Sequence, residues 1–167
     1  MVNFMGMIGF YKIANEEEIN KLKSGEISSS EFIYDDMDNV VDIDKAWHAI
    51  HFTLTGELGG RDDNDPLSMV VLGGIPINNE DLGCGPLTYY TKEEVSISNE
   101  ELKKLNEEEF RSRFSLEAMV EEGIYPVVCG QDTEEEFFNY IWENFKVVKC
   151  IFNKASEEGK CIVFLLS

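Results

Sequence analysis

The C-terminal stretch, residues 133–167, constrains the fold of this chain most. From Thr133 onward Phe137, Ile141, Phe145, Val148, Phe152 and Ala155 recur at helical spacing and keep one face apolar until Gly159 stops the run. Residues 161–166 then read Cys-Ile-Val-Phe-Leu-Leu, an apolar run with no polar alternation, which marks a strand covered on both faces. With residues 5–13 also reading as a strand, strands stand at both termini with helices between them. That argues for layered helix and sheet over a helical bundle.

The opposite end of the chain repeats the pattern. Residues 5–13 read as a buried first strand, and Asn15 with Glu18 three positions on forms a capping-box start for a helix that ends before Gly25. Residues 27–38 stay open, with Ser28, Ser29 and Ser30 able to cap a short helix. Asp44 is placed to cap a central helix in which Ile43, Trp47, Ile50, His51 and Leu54 share a face, and Gly56 closes it. Asp65 and Pro66 open a further short helix over 67–72, closed by Gly73 and Gly74. A loop rich in glycine and proline turns at Gly83-Cys84-Gly85-Pro86 into a short strand over 87–90. Thr91 with Glu94 is another capping box, and helices are expected over 99–105, 106–113 and 115–122, followed by a strand at 127–129. The whole points to one α/β domain over residues 1–167, a sandwich with helices packed on both faces of a mixed sheet, with α+β as the alternative. A chain of 167 residues with 43% hydrophobic content can bury such a core without staples.

Charge narrows the function classes. Lys and Arg total 14 against 33 Asp and Glu, a formal net charge of −19, which repels phosphate backbones and anionic lipid, so neither nucleic acid nor membrane is expected as a partner. The acids fall in runs such as 16–18, 107–109 and 134–136, where they complement helix dipoles, and together they also suit a basic protein partner. Cys84, Cys129, Cys150 and Cys161 are scattered, with Cys150 and Cys161 in apolar runs, and are expected to be reduced. The apolar stretch 4–10 lacks a preceding base and runs into Glu16–Glu18, unlike a signal peptide, and no segment has the length of a membrane span. A cytoplasmic location is expected.

Several motifs in combination and order resemble the YfbM-like proteins of bacteria, a domain of unknown function. They are Met5-Gly6-Met7-Ile8-Gly9; Asp44-Lys45-Ala46-Trp47-His48 with His51-Phe52 and Leu54-Thr55-Gly56; Asp65-Pro66-Leu67 with Leu72-Gly73-Gly74; Gly83-x-Gly85-Pro86; Phe110-Arg111-x-Arg113-Phe114; and Ile124-Tyr125-Pro126. The resemblance covers nearly the whole chain and implies an α/β sandwich with helices on both faces of a sheet. It implies no established activity. Cys84 and Thr88 depart from the family pattern, which usually has tyrosine at the first position and often arginine at the second, so no role is placed on either.

Chemistry-bearing residues form no complete set. His48 and His51, three apart on one helix with Asp44 a turn earlier, could approach one metal, but no third ligand stands at a recognisable spacing. Packing accounts for them more simply: Trp47 and His51 inward, the His51 ring bonded to a backbone carbonyl, and His48 at the margin beside Asp44. Cys84 between glycines lacks the third group that a Cys–His hydrolase uses, Gly83-x-Gly85-Pro86 lacks the lysine and helix of a phosphate loop, and 61–65 lacks the glycine and distal glutamate of a calcium loop. No catalytic residue, metal or cofactor is assigned. The favoured reading is an acidic protein-binding domain, in one form immunity- or antitoxin-like. The alternative is a small-molecule-binding protein or enzyme with a pocket around Trp47, His48, His51, Gly85, Pro86 and Tyr89.

Overall fold

The computed structural model describes residues 6–126 and 133–167, so the strand expected at 127–129 lies outside the described residues. The elements in chain order are β1 (Gly9–Ala14), α1 (Glu16–Ser24), α2 (Ser29–Tyr34), β2 (Val40–Asp42), α3 (Trp47–Thr55), β3 (Ile75–Pro76), β4 (Thr88–Tyr90), α4 (Lys92–Lys103), α5 (Glu107–Arg113), α6 (Leu116–Glu122), α7 (Glu134–Glu158) and β5 (Cys161–Leu166). The strands form one sheet in the order β2-β1-β5-β4-β3. The two outermost strands in sequence lie side by side at its centre, in a register that runs from Gly9 opposite Leu166 to Ala14 opposite Cys161.

Every pairing among the described residues is antiparallel, which corrects the mixed sheet expected from sequence and places the fold on the α+β side of α/β layering. The unbroken apolar run of β5 has a different cause from parallel pairing. Helices cover both faces of the sheet, so both sets of alternating side chains are buried. Tyr11, Tyr90, Ile162 and Phe164 pack with α3, α4 and α7 on one face. Ala14, Tyr89, Cys161, Val163 and Leu165 pack with α1 and α2 on the other.

α7 dominates the larger core, burying Phe137, Phe138, Ile141, Phe145, Val148, Ile151, Phe152 and Ala155. At ~1.5–3 kcal/mol per large side chain taken from water, this face outweighs the helix's intrinsic propensity. Its ends are set locally: Thr133 and Glu136 form a reciprocal capping box, and Gly159 takes the left-handed conformation with φ 63°. The same boxes start α1 at Asn15 and Glu18 and α2 at Ser28 and Glu31.

Four local expectations are corrected. The helix expected from Asn99 is the second half of α4, because Thr91 already caps that helix and neither glycine nor proline interrupts it; Asn99 is buried and its amide reaches Asn153. The helix over 67–72 shrinks to a 3-10 turn at Pro66–Met69. Just beyond that turn the Tyr11 and Tyr90 hydroxyls donate to the carbonyls of Val70 and Val71, both at 2.7 Å, competing with further helical bonds. Asp44 does not cap α3. It opens a 3-10 turn with φ 50°, and its carboxylate accepts from the Tyr140 hydroxyl of α7 at 2.9 Å. Cys150 is exposed on α7, whereas Cys161 is buried in β5.

Candidate functional site

The Trp47–His51 turn of α3 was the strongest chemical feature of the sequence, and the fold uses it as packing. Gly9 of β1 lets this helix approach closely: a Cβ there would lie 3.1 Å from Ile43 and Phe164 and 3.2 Å from Trp47. The Trp47 indole N–H donates to the Met7 carbonyl at 2.8 Å. Its ring stacks on His48, with centroids 5.2 Å apart and planes 15° apart, and leans on Tyr125 at 5.5 Å.

His48 is held on both nitrogens. The Tyr125 backbone N–H donates to Nδ1 at 3.0 Å, which puts the proton on Nε2, and that N–H donates to the Leu58 carbonyl at 2.9 Å. Burial holds its pKa below the ordinary imidazole value. The expected neighbour Asp44 is engaged by Tyr140, so the His48–Asp44 pair does not form. His51 is fully buried, but neither ring nitrogen has a partner, which corrects the expected bond to a backbone carbonyl. Burial, with a smaller contribution from His48, pushes its pKa down to about 4, so it is neutral at neutral pH.

The remaining members of the sequence-derived pocket have partners of their own. Tyr89 faces the opposite side of the sheet, where its hydroxyl accepts from Lys23 Nζ at 2.7 Å and its ring lies under the same ammonium. Gly85 and Pro86 belong to a loop organised by Asp81, whose carboxylate accepts the N–H groups of Gly83 at 2.8 Å and Gly85 at 3.0 Å. Those two bonds lower the Asp81 pKa, and the glycines adopt φ of 123° and 106°, so backbone geometry accounts for both. Pro86 and exposed Cys84 border a hollow of about 130 Å³ with Val71, Leu72, Thr88 and Phe164. Trp47, His48 and His51 are thus brought together, while Tyr89 lies on the other face of the sheet. Among the described residues no group of three or more His, Cys, Asp or Glu side chains is placed to hold a metal ion. No described helix is long and apolar enough to cross a membrane.

A larger cleft, about 610 Å³, opens between β1, the segment leading into β2, and the C-terminal half of α7. Sequence reasoning passed over it. The available signal was Lys12, a charge inside an otherwise apolar strand. Its side chain is only 7% exposed; Nζ donates to the Phe32 carbonyl at 2.7 Å, pairs with Asp36 at 2.9 Å and sits 3.9 Å over the Phe32 ring.

An antiparallel sheet between two helical layers, with its histidines packed inside one layer, defines the class: an α+β sandwich without an assembled catalytic triad or metal centre among the described residues. The chain belongs to the family described as a domain of unknown function (DUF1877), which matches residues 5–165. It is 31% identical over 160 residues to Protein YfbM of Escherichia coli strain K12, covering 93% of this chain and 95% of that protein. The structure is similar to the crystal structure of YfbM from Escherichia coli, itself described as a protein of unknown function. Its TM-score is 0.74 at 29% identity, over 96% of this chain and all of that one.

Proposed function

We propose that this is a cytoplasmic binding domain whose acidic surface captures a basic protein, in one form an immunity- or antitoxin-like domain that blocks a basic toxin. The observation that carries the reading is the convergence of acidic runs distant in sequence. Glu107–Glu109 open α5 and Glu134–Glu136 open α7. The two helix starts meet around Arg111, which makes a bidentate pair with Glu135 at 2.9 and 3.0 Å and feels the charges of Glu107 and Glu134 as well. One arginine does not neutralise two acidic helix starts. The surplus is exposed, where long-range attraction accelerates encounter with a cationic surface. The small-molecule alternative at Trp47, His48 and His51 has less support, because these side chains line none of the clefts described above.

Affinity capture from the native host at low ionic strength, followed by binding kinetics, tests the proposal. A basic partner should be recovered whose on-rate falls by roughly tenfold between ~50 and ~200 mM salt while its off-rate changes less. Changing Glu107, Glu108 and Glu134 to glutamine should slow association without unfolding the domain. Failure to recover a basic partner, or a partner indifferent to salt and to these substitutions, returns the charge to a role in solubility.

A further inference from the structure

The cleft beside α7 carries a second inference, independent of acidic capture. Its floor is aliphatic, with Ile13 and Val41 from the sheet and Val147 and Ile151 from α7. A volume of about 610 Å³ is in the range of small-ligand sites. Its charged groups are arranged in a definite way. Lys12 holds Asp36 from one side, and the Asn39 amide reaches both Asp36 oxygens at 2.9 and 3.0 Å from another. These bonds depress the Asp36 pKa, Lys12 contributing most, and keep a fixed, ionised carboxylate at the rim.

A buried lysine is a poor choice if only stability matters, since an aliphatic residue in β1 would fill the same space without desolvating a charge. Its effect here is to aim Asp36. Across the cleft, Lys160 is 3.5 Å from Glu158, whereas Lys154 has no carboxylate partner among the described residues. Asp38, also at the rim, is exposed and without an ion pair among them. The cleft therefore offers an anionic side at Asp36 and Asp38, a cationic group at Lys154 and an aliphatic floor, while the Glu18 and Glu158 carboxylates that also line it are engaged by the Asn15 backbone N–H and by Lys160.

We propose that this cleft binds an aliphatic zwitterion, an amino acid or short peptide whose ammonium meets Asp36 and Asp38 and whose carboxylate meets Lys154. A simple fatty acid would face the two aspartates, and a simple alkylamine would face the lysines. A molecule carrying both charges satisfies both sides.

The test is titration of the intact protein with L-leucine, leucyl-leucine, leucinamide and 4-methylpentanoate, followed by amide NMR. One or both zwitterions should shift Ile13, Val41, Cys150 and Ile151 in a saturable way, and the comparison between leucine and leucyl-leucine separates a free amino acid from a peptide. Leucinamide, lacking the carboxylate, and 4-methylpentanoate, lacking the amine, should bind at least about tenfold more weakly. Lys154→Glu, at an exposed position, should weaken the zwitterions by about tenfold while leaving leucinamide unweakened, and the same spectra show that the variant is folded. Absence of saturable shifts from either zwitterion up to about 10 mM, equal binding of all four compounds, or an unchanged Lys154→Glu variant overturns the proposal.

Discussion

His51 should make the protein acid-sensitive above the range in which carboxylates titrate, and His51→Leu should remove that sensitivity. In the folded chain the ring is fully buried with both nitrogens unpartnered, and its pKa is pushed from the ordinary 6.5 down to about 4. In the unfolded chain it titrates normally. As pH falls through 6.5 the unfolded state takes up a proton that the folded state refuses until about pH 4. Stability is therefore independent of this group above 6.5, declines by about 1.4 kcal/mol per pH unit below it, and has lost about 3 kcal/mol once the folded value is passed. Urea denaturation at a series of pH values from about 7.5 to about 5 samples the cleanest part of the window, where the loss from His51 reaches ~2 kcal/mol. The net charge of −19 works in the other direction, because acidification relieves self-repulsion, so the measured quantity is the difference in slope between the native protein and His51→Leu. The variant should also be no less stable at pH 7.5, since leucine buries no unsatisfied donor or acceptor, a cost of ~1–3 kcal/mol for each orphaned group. Equal slopes for the two proteins, or a variant destabilised by more than about 2 kcal/mol at pH 7.5, would refute the reasoning and mean that the imidazole has a partner inside the core.

Phe145→Ala should cost about 3–5 kcal/mol in urea denaturation, because the ring is fully buried and stacked on Phe110 at 4.2 Å with planes 9° apart; a loss under about 1.5 kcal/mol would mean the core closes over the gap. Tyr11→Phe and Tyr90→Phe each leave a carbonyl of the 66–71 segment without its buried donor, and each should lower stability by about 1 kcal/mol in the same assay; no loss in either would show that these bonds do not hold the segment.

The sequence by itself determined most of the elements and their ends. Asn15 with Glu18 and Thr133 start helices, and Gly25, Gly56 and Gly159 stop them, because a cap is a bond between residues three apart or a backbone angle at one residue; which of Ser28, Ser29 and Ser30 caps α2 stayed open until the structure assigned it to Ser28. The apolar faces of α7 and β5 were equally plain, since each is written in a period along the chain. What residues far apart do to one another was decided only in the tertiary structure. Periodicity puts Tyr89 and Tyr90 on opposite faces of a strand, but only the layered fold assigns one to Lys23 and the other to Val71, and so separates Tyr89 from the histidines. The 3-10 turn at Pro66–Met69 follows from hydroxyls on β1 and β4, and the Asp44 turn is held by Tyr140, ninety-six residues away. Lys12 is a charge in an otherwise apolar strand, and only the fold gathers Phe32 and Asp36 around it; His51 reads as a core histidine, and only its surroundings show that neither ring nitrogen has a partner. Local bonds and periods repeat along a chain and can be read there, whereas desolvation and charge pairing depend on which distant groups arrive at the same place.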